Sequence, residues 1–176
     1  MNQYKKNLNF LLVDGYNIIH SWKELRSLCD VSLETARQAL MDMLSNYCGF
    51  KDIIIIIVFD AYLVKGNIET LKKYNNIYIV FTKEAETADH YIERVVNSLP
   101  KNYSVRVATS DILEQLIIMG SGAIRVSAKE LYNEIKYNEK ILNKKYINKR
   151  PIKNNMFIDN LSDDIREWME MMRRQK

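Results

Sequence analysis

Phe10-Leu11-Leu12-Val13-Asp14-Gly15-Tyr16-Asn17 is the stretch that decides the fold. Its four apolar residues make a strand-sized run. A carboxylate closes the run, and a glycine follows that lets the backbone turn tightly. Three later segments repeat the device of an apolar or β-branched run meeting an acid: Val58-Phe59-Asp60, Thr87-Ala88-Asp89 and Ala108-Thr109-Ser110-Asp111. Working outward, strands are expected at 9–13, 53–58, 77–81, 104–108 and 123–126. Helices are expected between them, at 17–28, 33–48, 86–98, 111–119 and 128–135. This alternation predicts an α/β fold with a mostly parallel sheet of about five strands. The run Ile53 to Val58 is apolar on both faces, as a central parallel strand is. Val105-Arg106-Val107-Ala108 tolerates a charge and is expected nearer an edge.

Local signals support these elements. Ser32 is placed to cap helix 33–48, and Glu34 lies in its first turn. Leu33, Ala36, Leu40, Met43, Leu44 and Tyr47 make an apolar stripe at helical spacing, and Arg37 and Gln38 fall away from most of it. Gly120-Ser121-Gly122 lies between a helix and a strand and reads as a turn. It is on the wrong side of a strand for a dinucleotide fingerprint.

The chain of 176 residues is long enough for one domain with a sizeable core. No apolar run approaches the length of a membrane span. The N-terminus leads straight into a strand without a hydrophobic signal region. Cys29 and Cys48 lack metal-like spacing and read as reduced thiols of a cytoplasmic protein.

Charge is unevenly placed. Residues 1–135 carry 15 Lys and Arg against 16 Asp and Glu, a net of −1. Residues 136–176 carry 11 against 6, a net of +5, which gives the chain its +4. The expected division is therefore a body over 1–135 and a basic extension over 136–176. The extension reads as a continued helix, an irregular arm and a last helix from about 163 to 174. Ser162 would cap that helix, and Ile165, Trp168, Met169 and Met172 form one apolar face, expected to pack back on the body. A neutral body with a basic tail suits a polyanionic partner, although a solvated basic face accounts for the charge as well.

In open α/β sheets, ligands bind at the carboxyl ends of the strands. Asp14, Asp60 and Asp111 each follow a strand, and Asp89 sits one turn into the helix after the third. Converging there, each carboxylate pair at 4 Å would cost roughly 4 kcal/mol at an effective dielectric of 20. A divalent cation removes that cost, and hard oxygen donors suit Mg²⁺ or Mn²⁺ rather than zinc. Such cations hold a phosphate and assist phosphodiester hydrolysis. Glu86 is a weaker fifth candidate. Asn17 is placed to bond a carboxylate or a phosphate while capping the next helix. Thr109 and Ser110 are placed to donate to Asp111 or a phosphate. Tyr16 and Tyr62 near the expected mouth could stack on bases, although wall packing suits them as well. Arg37, Lys65, Lys144, Lys145, Lys149 and Arg150 supply candidate phosphate contacts. His20 and His90 read as peripheral. No phosphate-binding Gly-rich loop and no Ser-His-Asp order stands out.

Taken in order, Val13-Asp14-Gly15-Tyr16-Asn17, Val58-Phe59-Asp60-Ala61, Thr82 to Asp89 and Ala108-Thr109-Ser110-Asp111 resemble the YacP-like branch of the NYN domain family, which are PIN-like nucleases. The likeness continues through Leu113-Glu114-Gln115-Leu116 and Gly122 to Leu131. The final helix ending in Arg173-Arg174 also looks similar to the family's. The resemblance implies a Rossmann-like, three-layer PIN fold and a Mg²⁺- or Mn²⁺-dependent endoribonuclease. Bacterial members of this branch include a ribosome-associated enzyme that cuts translated mRNA. By the same resemblance, Asp14, Asp60, Asp89 and Asp111 become the metal site, with Asn17 beside it. Ala61-Tyr62-Leu63 stands where relatives often have Ala-His-Leu, so no histidine role carries over there.

The expected function is hydrolysis of RNA, with mRNA and the ribosome as partners and a monomer as the favoured state. A non-catalytic RNA- or ribosome-binding protein and a structure-specific DNA nuclease are the alternatives. A small-molecule phosphohydrolase is disfavoured because the second Asp such enzymes place two residues after the first is missing after Asp14.

Overall fold

The structure, a computed structural model, describes residues 8–60, 70–83, 86–112, 115, 119–147 and 167–171. The chain divides into two compact units, Met1–Asn138 and Glu139–Lys176. The first carries a six-stranded sheet. Its strands are β1 (Asn9–Asp14), β2 (Ile54–Phe59), β3 (Thr70–Tyr74), β4 (Ile77–Phe81), β5 (Ser104–Thr109) and β6 (Ile124–Ser127). Its helices are α1 (Gly15–Ser21), α2 (Lys23–Leu28), α3 (Leu33–Cys48) and α4 (Ala88–Ser98), with α5 (Ala128–Ile147) beginning in it.

The strand order is β3-β4-β2-β1-β5-β6. All neighbours are parallel except β3 and β4. From β1 the chain builds outward through β2 and β4, then returns to the other side of β1 with β5 and β6. The reversal falls between β1 and β5, the switch point at which such sheets bind ligands. The five expected strands are present within a residue or two. A sixth, β3, was not expected and adds an antiparallel edge. Asn75, at φ 50°, forms the tight turn that joins it to β4.

The sheet is buried on both faces by alternation. Leu11, Val13, Ile55, Ile57 and Phe59 share one cluster with side chains of α1, α2, α3 and the start of α5. The alternate residues Phe10, Leu12, Ile56 and Val58 are also fully buried, and α4 packs on β1 and β2. The result is the helix–sheet–helix layering of a PIN-like fold.

Several local expectations change in detail. The helix expected over 17–28 starts at Gly15 and breaks at Trp22, whose backbone is extended. Its indole N–H donates to the Ala128 carbonyl at 2.8 Å, a tertiary bond that holds the break. Ser32 caps α3 as expected, accepting from the Thr35 N–H at 3.0 Å. Arg106 on β5 is accommodated one strand in from the edge by Glu134 at 2.6 Å. The helix expected over 111–119 falls largely outside the described residues. So do Tyr62, Lys65, Lys149, Arg150 and most of the basic arm. The backbone of Lys144 and Lys145 lies in α5, while their side chains fall outside the description. In the second unit, residues 167–171 are helical.

Candidate active site

Asp14 is the last residue of β1 and the cap of α1. Its Oδ1 accepts from the Asn17 backbone N–H at 3.1 Å, and its Oδ2 accepts from Asn17 Nδ2 at 3.2 Å. Both carboxylate oxygens are thereby fixed by one residue a turn away. Gly15 is required between them by close approach. A Cβ there would lie 2.2 Å from Phe59 Cε1.

Asn17 also reaches across the switch point. Its Oδ1 accepts from the hydroxyl of Ser110, which follows β5. Asp111 comes next, and its backbone N–H donates to Thr109 Oγ1 at 3.0 Å. This small turn holds the end of β5 against the start of α1.

Asp60 follows β2. Its Oδ1 accepts from the Ala88 N–H at 2.6 Å, at the first residue of α4. Thr87 caps the same helix, accepting from the His90 N–H at 3.3 Å. Asp89 lies in the first turn of α4, where the helix dipole favours negative charge.

Capping alone would account for an acid at each helix start. It does not account for the electrostatics. Asp14 is only 4% exposed. Burial pushes its carboxyl up to about 7, against the pull of the two Asn17 hydrogen bonds. The negative charge of Asp89 nearby raises it further. Asp60 is raised as well, first by burial and then by the same Asp89, while the Ala88 N–H lowers it. Asp89 is therefore the charge that both other acids feel.

These are hard oxygen donors. Mg²⁺ commonly takes one or two carboxylates and completes its shell with water and substrate phosphate. The Asp14–Asp89 pair meets that requirement, and a cation between them would relieve the repulsion that raises Asp14. Among the described residues, no group of three or more His, Cys, Asp and Glu side chains is arranged to hold a metal ion as it stands. Any cation here would lean on water and phosphate for the rest of its shell.

Other expected residues take different roles. Tyr16 is buried, and its ring packs on Phe59 at 5.1 Å between centroids. Its hydroxyl accepts from Arg37 at 2.8 Å. Arg37 is itself buried and paired with Glu34. Both side chains are thus buried and partnered within the body, as the wall-packing reading of Tyr16 has it. Arg37 leaves the polar side of α3 because Tyr16 and Glu34 together satisfy its guanidinium. Glu86 is held by Arg94 at 2.6 Å. Sequence reasoning placed Ser110 beside Asp111 or a phosphate, and missed its bond to Asn17. That bond spans 93 residues, and no local pattern announces it.

Known proteins share this fold and sequence. The YacP-like NYN domain profile matches residues 11–174. The uncharacterized protein YacP of Bacillus subtilis strain 168 is 42% identical over 130 residues, covering 73% of this chain and 76% of that protein. The crystal structure of Rae1 (YacP) from Bacillus subtilis superposes with a TM-score of 0.69 at 34% identity, covering 94% of each chain. A mutant of the same protein gives a TM-score of 0.71 over 87% of this chain and 89% of that one, also at 34% identity. The fold, the acids at its switch point and the match along nearly the whole sequence lead to one conclusion: the chain belongs to the YacP-like NYN domain family.

Proposed function

We propose that the protein is a divalent-metal-dependent endoribonuclease that hydrolyses RNA, with mRNA on the ribosome as its substrate. The observation that carries this reading is Asp14. It is buried, fixed at both oxygens by Asn17 and faced by Asp89 at the carboxyl end of the central strand. A buried carboxylate with a second acid beside it is costly to ionise, and a cation joining the two would offset that cost. Family membership supports phosphodiester chemistry.

Asp14 and Asp89 would hold Mg²⁺ or Mn²⁺, with Asp60 and Asp111 at its margin. When bound, the cation neutralises charge on the scissile phosphate and acts as a Lewis acid toward it. The chain's own residues supply position. Asn17 keeps both Asp14 oxygens oriented, and Ser110 fixes Asn17 in turn. Asp60 is bound through Oδ1 by Ala88 N–H, leaving Oδ2 to accept a proton from a water approaching the phosphorus.

The test is end-mapping of mRNA treated with wild type, Asp14→Asn and Asp89→Asn, with Mg²⁺, Mn²⁺ or EDTA, and with or without translating ribosomes. Wild type is expected to cut only with a divalent ion, and both variants are expected to lose cleavage. Asp14→Asn cutting as fast as wild type in every condition sinks the reading.

A second reading, a non-catalytic RNA- or ribosome-binding protein, draws on the absence of a three-acid metal group among the described residues. RNA binding that survives EDTA, with no cleavage in any context, would favour it.

A further inference from the structure

A cavity of about 540 Å³ opens between the end of α1, the loop after β5 and the start of α5. Ser110 lines it. The same hydroxyl donates to Asn17, which holds Asp14, so the cavity shares a wall with the acidic site. Trp22 and Tyr132 form another wall, packed edge to face at 5.3 Å. Trp22 is anchored there by its bond to the Ala128 carbonyl.

Lys23 and Lys129 stand at the rim, both exposed. Among the described residues, neither ammonium is paired with a carboxylate. Among the described residues, the carboxylate lining the cavity, Glu24, is already paired with Lys136 at 3.5 Å. That lysine also sits 5.4 Å over the Tyr132 ring. The result is a pocket of ligand size with an aromatic wall and two uncommitted cations. Cations without carboxylate partners in a concave site concentrate anions. Basic groups beside an aromatic wall are the pattern by which proteins hold single-stranded nucleic acid.

We infer that this cavity holds the nucleotide flanking the scissile phosphate of a single-stranded RNA. Lys23 and Lys129 neutralise the phosphates on either side of it, and its base lies toward the Trp22–Tyr132 wall. The inference rests on the reading of the acids as an RNA-hydrolysing site. Ser21 lines the same cavity and donates its hydroxyl hydrogen to the Asn17 carbonyl at 2.7 Å. Its oxygen keeps a lone pair that can accept from a ribose 2′-hydroxyl.

The test separates binding from cleavage. Fluorescence anisotropy in EDTA measures the affinity of a labelled single-stranded RNA oligonucleotide across a salt series. Lys23→Ala/Lys129→Ala is expected to bind on the order of tenfold more weakly, with a salt slope shallower by about 1.4 for two lost phosphate contacts. Lys23→Arg/Lys129→Arg should keep the slope. Lys101→Ala, at a separate cavity near the start of β5, should behave as wild type. In Trp168→Phe, where Trp22 is the remaining tryptophan, RNA should change the emission. Melting temperatures check that each variant folds. A double alanine variant with wild-type affinity and slope overturns the subsite, even if the wild type cuts RNA. A wild type that shows these binding signatures yet never cuts with any divalent ion overturns the hydrolysis reading and leaves an RNA-binding site.

Discussion

The ring of Phe59 fills the space that a side chain at residue 15 would need. A Cβ on Gly15 would sit 2.2 Å from Phe59 Cε1 and 2.4 Å from Cδ1. Phe59 cannot give way cheaply, because it is fully buried between Tyr16 and Phe81. Gly15→Ala is therefore expected to destabilise by about 1–3 kcal/mol, the usual range for overpacking. Urea denaturation measures it. Phe59→Leu should recover part of the loss in the double variant, while costing stability on its own. Additive effects of the two substitutions would show that the clash is not the cause.

A second relationship ties the sheet to α5. Glu134 accepts from Tyr47 Oη at 2.6 Å and from Arg106 Nη2 at 2.6 Å, with Lys51 at 3.7 Å. Burial alone would raise its carboxyl, but the hydrogen bonds from Arg106 and Tyr47 hold it below the ordinary carboxylate range. The same contact pushes the Tyr47 hydroxyl up to about 12, with burial the larger cause. Glu134→Ala strands both donors, so a loss of about 2 kcal/mol in unfolding free energy is expected. Glu134→Gln keeps an acceptor and should cost less. Equal losses for the two variants would mean that packing, not the charged hydrogen bonds, holds this corner.

The sequence was readable where burial writes a simple pattern. β1, β2, β4 and β5 are apolar runs because helices cover both faces of a parallel sheet. Thr70-Leu71-Lys72-Lys73-Tyr74 was missed because an edge strand needs no such run. Its one legible signal was Asn75-Asn76 between two β-capable segments, a pair suited to a two-residue hairpin turn. The break at Trp22 was not legible, since its cause is a carbonyl 106 residues away. For the site, the acids after β1, β2 and β5 and the one opening α4 were visible in order, and so was the placement of Asn17 near the first of them. The burial of Arg37 was not, because its two partners offset the polar position it holds in the helix. Nor was the capture of Glu86, which needs Arg94 to lie two turns further along.

Asn17 connects Asp14 to Ser110, so Asn17→Ala should uncouple the two sides of the switch point. The backbone N–H bond to Asp14 survives, and the stability cost should be about 1 kcal/mol for the side-chain bonds lost. The Nδ2 bond lowers the Asp14 carboxyl, so its loss should push that group further up. If cleavage needs Asp14 ionised, the acid limb of the rate–pH profile moves to higher pH. A lower kcat with an unshifted profile would assign Asn17 to positioning alone.

Without a cation, the acids should make the protein less stable as pH rises. Asp14 has its folded value raised to about 7 from 3.8, chiefly by burial. A carboxyl raised on folding stabilises the folded state fully below its unfolded value. That contribution is lost as pH climbs through the folded value. In EDTA, the melting temperature is therefore expected to fall between pH 5 and pH 8. The limiting slope is about 1.4 kcal/mol per pH unit for one proton. Asp60 is raised by the same causes and adds in the same direction. Asp14→Asn removes the larger of the two contributions and should flatten the profile. Mn²⁺ or Mg²⁺ should stabilise the wild type more at pH 8 than at pH 5, because the cation competes with the proton for the same oxygens. Identical profiles for wild type and Asp14→Asn in EDTA would mean that Asp14 is ionised in the folded protein without help. A cation at this site would then lack its main electrostatic support.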